Sequence, residues 1–217
     1  MNLIEQQIII QKKILTLTNQ KAIFWQQHQS LIISDLHLGK SAHFRKNGIA
    51  IPSNVAEKDV EQLQKLLNHY QVQQLIIVGD LIHAGTNTDV EMFSNLLLKF
   101  PQLKTILIKG NHDRLTTNQL KNLGILAVYD YFELDEILFS HDLSRQSGKL
   151  VISGHIHPGV NVKFNTKTMR FPCYVIGQNN IILPAFSSFT GLDTNINLQN
   201  ANYYAFYEKG IFKANSV

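Results

Sequence analysis

The chain of 217 residues has one cysteine, Cys173, and only five prolines. A lone thiol cannot close an internal disulfide, and no spaced thiol pair is available for a structural zinc site or dithiol redox chemistry. A reducing compartment is the expectation. Long apolar runs are also missing. Ile8 to Ile10 has neither the basic leader nor the length of a signal peptide, and no run approaches a membrane-spanning segment. The expected protein is soluble, unexported and cytoplasmic, with no membrane partner. Charge is sparse, at 17% of residues, with a net value of +4 and a pI near 9.1. That mild excess would assist a polyanionic partner without identifying one.

What is present is enough hydrocarbon for a core, at 44% apolar residues, in a length that suits one domain over residues 1–217. Short apolar runs at Ile8 to Ile10, Ile14 to Leu17 and Ala22 to Trp25 predict edge strands or a hairpin. From Leu31 the runs become compact and each ends in a polar cluster: Leu31 to Asp35, Leu75 to Asp80, Thr105 to Gly110, Ile137 to His141 and Leu150 to His155. These predict buried strands. Between the first two, Ser53 or Asn54 is placed to cap a helix carrying Val60, Leu63, Leu66, Leu67 and Tyr70 on one face, giving a βαβ unit. Asp89 precedes a second helical pattern (Phe93, Leu96, Leu97, Phe100), and Gly124 ends a third containing Leu120 and Leu123. After His157 the helical period disappears. A terminal hairpin is predicted where Glu208, Lys209 and Gly210 separate Tyr203 to Tyr207 from Ile211 to Lys213. The class implied is a layered α/β arrangement of two facing sheets with helices on their outer faces.

The strand-end clusters, in order, are Asp35-Leu36-His37, Gly79-Asp80, Gly110-Asn111-His112-Asp113, His141 and Gly154-His155-Ile156-His157. Their donors are oxygens and imidazoles, the set that suits manganese, iron or catalytic zinc. In an extended segment, the one-residue spacing of Asp35 and His37, and of His155 and His157, points both donors the same way. Each cluster alone has a plainer reading. Asp-x-His arises by chance, a lone His141 is more often a hydrogen-bonded surface residue, and the glycines can be turn punctuation. Five clusters in one order, each after its own strand, outweigh those readings.

That order of clusters, from Leu31 to Pro158, resembles the calcineurin-like metallophosphoesterase superfamily. The resemblance implies a four-layer sandwich of two mixed β-sheets flanked by helices and two divalent metal ions. It implies that Asp35, His37 and His157 hold one metal, that Asn111, His141 and His155 hold the other, and that Asp80 bridges them. A narrower resemblance lies in Leu36-His37-Leu38-Gly39-Lys40, His43-Phe44-Arg45 and Gly48-Ile49-Ala50-Ile51-Pro52. These segments are similar to the bacterial branch found with DNA ligase and helicase partners in DNA-repair cassettes, described as manganese-dependent DNA endonucleases. The sequence departs from that branch at Asp142-Leu143, where Glu-Pro is expected after the histidine.

A pair of metals about 3.5 to 4 Å apart can activate a bridging hydroxide for in-line attack on a phosphodiester. His112 is then the candidate that assists the leaving group, and Asp113 either orients its imidazole or caps a turn. Lys40, His43, Arg45 and Lys46 form either a phosphate-binding rim or a solvated basic loop. His83 is placed to support the site or merely to pack. Phe171, Tyr174, Phe186, Phe189, Tyr203, Tyr204 and Phe206 fit core packing in strands better than base stacking. Ser187, Ser188 and Thr190 form a polar patch without an assigned purpose. Trp25 and the N-terminal strands offer either a homodimer contact or a closed sheet edge.

The expected substrate is DNA, single-stranded or flexible, because its phosphates must reach a recessed metal pair. The competing enzyme hydrolyses a small nucleotide or a lipid-linked diphosphate. A non-catalytic scaffold is the third reading, weakened by the full set of ligands.

Overall fold

The computed structural model describes residues 2–46, 48, 54–83, 85, 87–143, 148–196 and 198–214, without the side chains of His43 and Lys46. The N-terminal runs form β1 (Glu5–Ile10), β2 (Lys13–Thr18) and β3 (Ile23–Trp25), an antiparallel ribbon that joins β4 (Ser30–Ile33). From β4 onward the first sheet is parallel: β5 (Gln74–Val78), β6 (Lys104–Ile108) and β7 (Ala127–Tyr129) follow in order. The helices α1 (Lys40–Lys46), α2 (Val55–Tyr70), α3 (Thr88–Leu98) and α4 (Thr117–Asn122) lie in the connections between these strands, so the expected βαβ unit is present.

The second sheet contains β8 (Tyr131–Leu134), β9 (Ile137–Ser140), β10 (Leu150–Ser153), β12 (Lys167–Ile176), β13 (Asn180–Ile182), β14 (Asn202–Tyr207) and β15 (Gly210–Ala214). Their order is β15-β14-β12-β13-β10-β9-β8, and β11 (Gly159–Phe164) pairs with β12. β10 is parallel to β9 and β13, and the other neighbours in this sheet are antiparallel. Both sheets are therefore mixed, as the sequence implied, and the helices flank the pair on the outer face of the first sheet.

Alternation explains why the central strands read as unbroken apolar runs. Leu31, Ile33, Leu75, Ile77 and Leu107 pack toward Leu63, Leu66, Phe93 and Leu96 of the helices. Ile32, Ile76, Val78, Ile106 and Ile108 face the other way, against Phe139, Ile152 and Tyr174 of the second sheet. Successive residues point to opposite faces of a strand, and here both faces are covered. Trp25 is fully buried between the sheets, so it belongs to the core and not to a dimer contact. The outer face of the second sheet buries Val160, Cys173, Val175, Tyr203 and Ala205, with Ile156, Ile196 and Leu198 packed on it. Strand and irregular chain cover this face, in keeping with the loss of helical period after His157.

Helix ends depart from the sequence reading in detail. Asn54 stands at the N-cap of α2 without a side-chain capping bond, and Ser53 lies outside the described residues. The cap of α3 is Asn87, whose side chain accepts from the amides of Asp89 and Val90, so Asp89 itself is not the cap. Thr116 and Gln119 form a reciprocal capping box on α4, which closes at Gly124 with φ +97°. The basic segment after His37, read as a loop, is α1. No helix among the described residues is long and apolar enough to cross a membrane.

Candidate metal centre

Strands β4, β5 and β10 stop at Ile33, Val78 and Ser153, and the donor residues follow in the turns beyond them. Asp35, His37, Asp80, His155 and His157 all have positive φ, between 48° and 71°. The left-handed region costs a non-glycine residue on the order of 1–2 kcal/mol, so neighbouring contacts must hold these turns in place. Main-chain bonds do so: the amides of Asp35 and His37 donate to the carbonyls of Gly79 and Asp80, at 3.1 and 2.9 Å. Leu38 N–H donates to Leu81, and His83 N–H to Leu38. The extended geometry assumed for Asp35-x-His37 and His155-x-His157 is thus replaced by left-handed turns.

The side chains form two groups. In the first, His157 Nε2 lies 3.2 Å from His37 Nε2 and 3.4 Å from Asp35 Oδ1, and His37 Nε2 lies 4.0 Å from the same Asp35 oxygen. In the second, His141 Nε2 lies 3.0 Å from Asn111 Oδ1, 3.1 Å from His155 Nδ1 and 3.6 Å from Asp80 Oδ1. The other Asp80 oxygen, Oδ2, lies 3.8 Å from His37 Nε2, so one carboxylate faces both groups. His155 and His157, expected to point the same way, divide between the groups.

These donors fit cations. His141 Nδ1 faces the Val78 carbonyl at 3.4 Å. A carbonyl can only accept, so the ring proton belongs on Nδ1 and the Nε2 lone pair is directed at Asn111 Oδ1 and Asp80 Oδ1, themselves acceptors. Burial, together with the cation of Lys40, pushes His37 down to about 3, so its imidazole stays neutral and able to ligate. Asp35 is buried; although burial opposes its charge, hydrogen bonding and attraction from His157 hold its carboxyl below the usual range. The His155 amide also donates to Asp35, at 3.0 Å. Around His141 Nε2, converging lone pairs with no proton between them repel unless a positive ion lies there.

The three glycines preceding ligands are explained by space. A β-carbon on Gly79 would lie 1.8 Å from His141 Nδ1, one on Gly110 2.1 Å from Asp80 Oδ1, and one on Gly154 2.5 Å from Asp35 Oδ2. Gly79 also has φ +84°. For Gly110 and Gly154, turn punctuation is not the reason.

His112 donates its amide to Asp80 Oδ1 at 2.9 Å and presents its ring 5.5 Å from that of His37, centre to centre. His83 lies beside both, 4.6 Å from His112 and 5.6 Å from His37, so it belongs to this site. The expectation that Asp113 orients the His112 ring is corrected. Its Oδ1 accepts from Ile82 N–H and its Oδ2 from Gly110 N–H, both at 2.9 Å, so the carboxylate ties two ligand turns together. Burial raises its pKa against those hydrogen bonds. Lys40 stands near enough to feel Asp35 and Asp80, although burial lowers its pKa. Arg45 is half-buried on α1, whereas the side chains of His43 and Lys46 lie outside the described residues.

Two supports were not anticipated. Asp89 Oδ2 accepts from Gly39 N–H at 3.0 Å, fastening α3 to the turn after His37. Asp59, buried on α2, accepts from the Ser188 amide and hydroxyl, while Lys21 donates to the Phe186 carbonyl and Ser188 hydroxyl. The same loop donates from Ser187 N–H to the Asp35 carbonyl at 3.2 Å, which gives the unassigned serine patch its purpose. The signal for Asp59 was available: it shares a helical stripe with Leu63 and Leu66. The tail aromatics Tyr174, Phe186, Tyr203 and Phe206 are buried in the cores.

A carboxylate set between two imidazole-rich groups at strand ends defines a hydrolase that works with divalent cations. The chain belongs to the calcineurin-like phosphoesterase family, whose model matches residues 29–148, more than half of its length. It is a metal-dependent phosphoesterase. The structure is similar to the crystal structure of Pseudomonas putida nuclease MPE, with 27% identity, a TM-score of 0.83, and coverage of 97% of this chain and 100% of that one. Two further solved structures align less well. They are the Escherichia coli phosphoesterase Yfce (12% identity, TM-score 0.46, 85% and 97% coverage) and the Aquifex aeolicus protein AQ665 (20%, 0.42, 59% and 78%). No curated protein matches the sequence.

Proposed function

We propose that this phosphoesterase is a DNA endonuclease or phosphodiesterase of DNA repair, working with two divalent ions, of which manganese suits the donors best. The observation that carries the metal assignment is the Asp80 carboxylate, with one oxygen 3.8 Å from His37 and the other 3.6 Å from His141. Asp35, His37 and His157 would hold one ion, Asn111, His141 and His155 the other, and Asp80 would serve both. When bound, such a pair lowers the pKa of water and clamps the phosphodiester for in-line displacement.

The protein's own groups do the rest. The Asp80 carboxylate keeps the two groups in register and is itself fixed by the His112 amide. The His112 imidazole, half-buried beside His37 and His83, is placed to protonate the departing alkoxide. Asp113 acts on position alone, holding the turns of Ile82 and Gly110. Lys40 adds positive charge beside the first group, where a phosphate flanking the scissile one would be received, and Arg45 lies further along the same helix. The likeness to a nuclease over nearly the whole chain supports a nucleic acid as the substrate. The segments around Leu36 to Pro52 support a place beside DNA ligase and helicase.

The test is cleavage of linear and circular DNA in manganese, beside a small aryl phosphodiester, by the natural protein and by Asp80→Ala. Cleavage of DNA that disappears in a folded Asp80→Ala protein is the expected result. Hydrolysis of the small ester with none of DNA would reject the nuclease reading.

A further inference from the structure

A second feature lies at the same edge of the molecule as the metal centre. β10 delivers His155 and His157 from its C-terminal end, and β13 runs parallel to it, with Ser153 opposite Ile182. β12 is antiparallel to β13, so its N-terminal half, before Cys173, projects past that edge. There it pairs with β11, from Gly159 opposite Pro172 to Phe164 opposite Lys167. β11 begins two residues after His157. At strand spacing, its six residues carry the chain roughly 20 Å outward. β14 is antiparallel to β12, so its Tyr207 end and the turn to β15 project the same way.

Between these two hairpins is a groove of about 750 Å³ whose walls include Phe164, Phe171, Tyr207 and Phe212, with Lys163 and Lys213. Phe164 and Tyr207 are 49% and 48% exposed, unlike the tail aromatics that fill the core. The ring centres of Phe164 and Phe171 are 6.2 Å apart, and those of Tyr207 and Phe212 are 6.3 Å apart, so the apolar surface is continuous. Among the described residues, no acid lines the groove. Lys167, Arg170 and Lys209 lie exposed on the same two hairpins, where Glu208 is the acid. Among the described residues, none of these cations forms a salt bridge.

Exposed ring faces interleaved with unpaired cations match the chemistry of a single nucleic-acid strand, whose bases stack while its phosphates meet the lysines. An apolar partner would leave the positive charge unanswered. We propose that this groove binds single-stranded DNA and leads it to the metal centre. The proposal rests on the nuclease reading and adds a subsite to it.

The test measures binding of a fluorescent oligothymidylate to the full chain in chelator, where no hydrolysis occurs, so its outcome is independent of activity. Phe164→Ala with Tyr207→Ala should weaken binding about tenfold or more, the scale of lost base stacking. Lys163→Gln with Lys213→Gln should weaken binding and flatten its salt dependence. Ile9→Ala, exposed on β1, is the control, and far-UV circular dichroism checks folding. Unchanged affinity in both double variants overturns the groove. So does duplex DNA binding as tightly as the single strand, since paired bases offer no free face. A dimer in sedimentation that Phe164→Ala with Tyr207→Ala dissolves, without effect on oligonucleotide binding, makes the groove an interface between copies and also overturns it. Failure of the nuclease reading appears separately, as intact DNA in the manganese assay.

Discussion

Asp80 Oδ1 occupies the place where Gly110 would carry a side chain: a β-carbon there would lie 2.1 Å from that oxygen and 2.4 Å from the Asp80 amide nitrogen. Because one clash is with main chain, the neighbour cannot rotate away. Gly110→Ala should therefore displace the carboxylate shared by the two donor groups and reduce phosphodiester hydrolysis by on the order of 100-fold or more. Overpacking of this kind costs about 1–3 kcal/mol of stability. Gly191→Ala is the comparison, since a β-carbon there meets nothing within 4 Å. Rates and melting curves of the two variants, side by side, check this; equal rates would show that the oxygen does not need the space.

Metal binding should stabilise the fold, because the donor set exists only in the folded chain. Manganese at 100 times its Kd adds about 2.7 kcal/mol, which for a chain of this size raises Tm by roughly 5–10 °C. Asp80→Ala should lose most of that shift, whereas His157→Ala, which removes a donor from the first group alone, should retain part. Thermal melts with and without manganese decide it. An unaltered shift in Asp80→Ala would remove the bridging role.

A proton donated by His112 matters in proportion to how poor the leaving group is. His112→Ala should lower kcat on DNA, whose leaving group is an alkoxide, by on the order of 100-fold or more. With an aryl diester, whose phenolate departs unaided, the loss should be far smaller. If both substrates suffer equally, His112 acts by positioning Asp80 through its surroundings and not as an acid.

Asp59, buried, and Lys21, half-buried, meet through the Ser188 hydroxyl, which donates to Asp59 and accepts from Lys21; burial raises the pKa of Asp59 and lowers that of Lys21. Asp59→Ala leaves the Ser188 amide and hydroxyl without their acceptor and should cost about 1–3 kcal/mol. It should also loosen the loop that holds the Asp35 carbonyl. The double variant Lys21→Met with Asp59→Ala should be less destabilised than the sum of the single changes, measured by chemical denaturation. Strict additivity would mean that the two charges do not interact.

Much of this protein was legible in the chain itself. Apolar runs of strand length ending in Asp, Asn or His marked the central strands and their ends, because a strand covered on both faces must be apolar at every position. The helical stripe of α2 and the order of the donor clusters were equally local. So was the chemistry of the donors, since oxygen and imidazole ligands without thiolates restrict the cation whatever the fold.

Tertiary structure decided how those donors are used. His155 and His157 are neighbours in sequence yet serve different groups, because left-handed turns replaced the extended geometry that spacing alone suggests. Gly154 is small on account of Asp35, and Gly110 on account of Asp80. Asp113 serves two turns and not the neighbouring imidazole, and Asp89 and Asp59 reach turns far away in the chain. Local sequence encodes which groups are offered and where strands stop. Clearance, ligand division and second contacts depend on residues 120 or more positions apart, like His155 and Asp35, that only the packing of two sheets brings together.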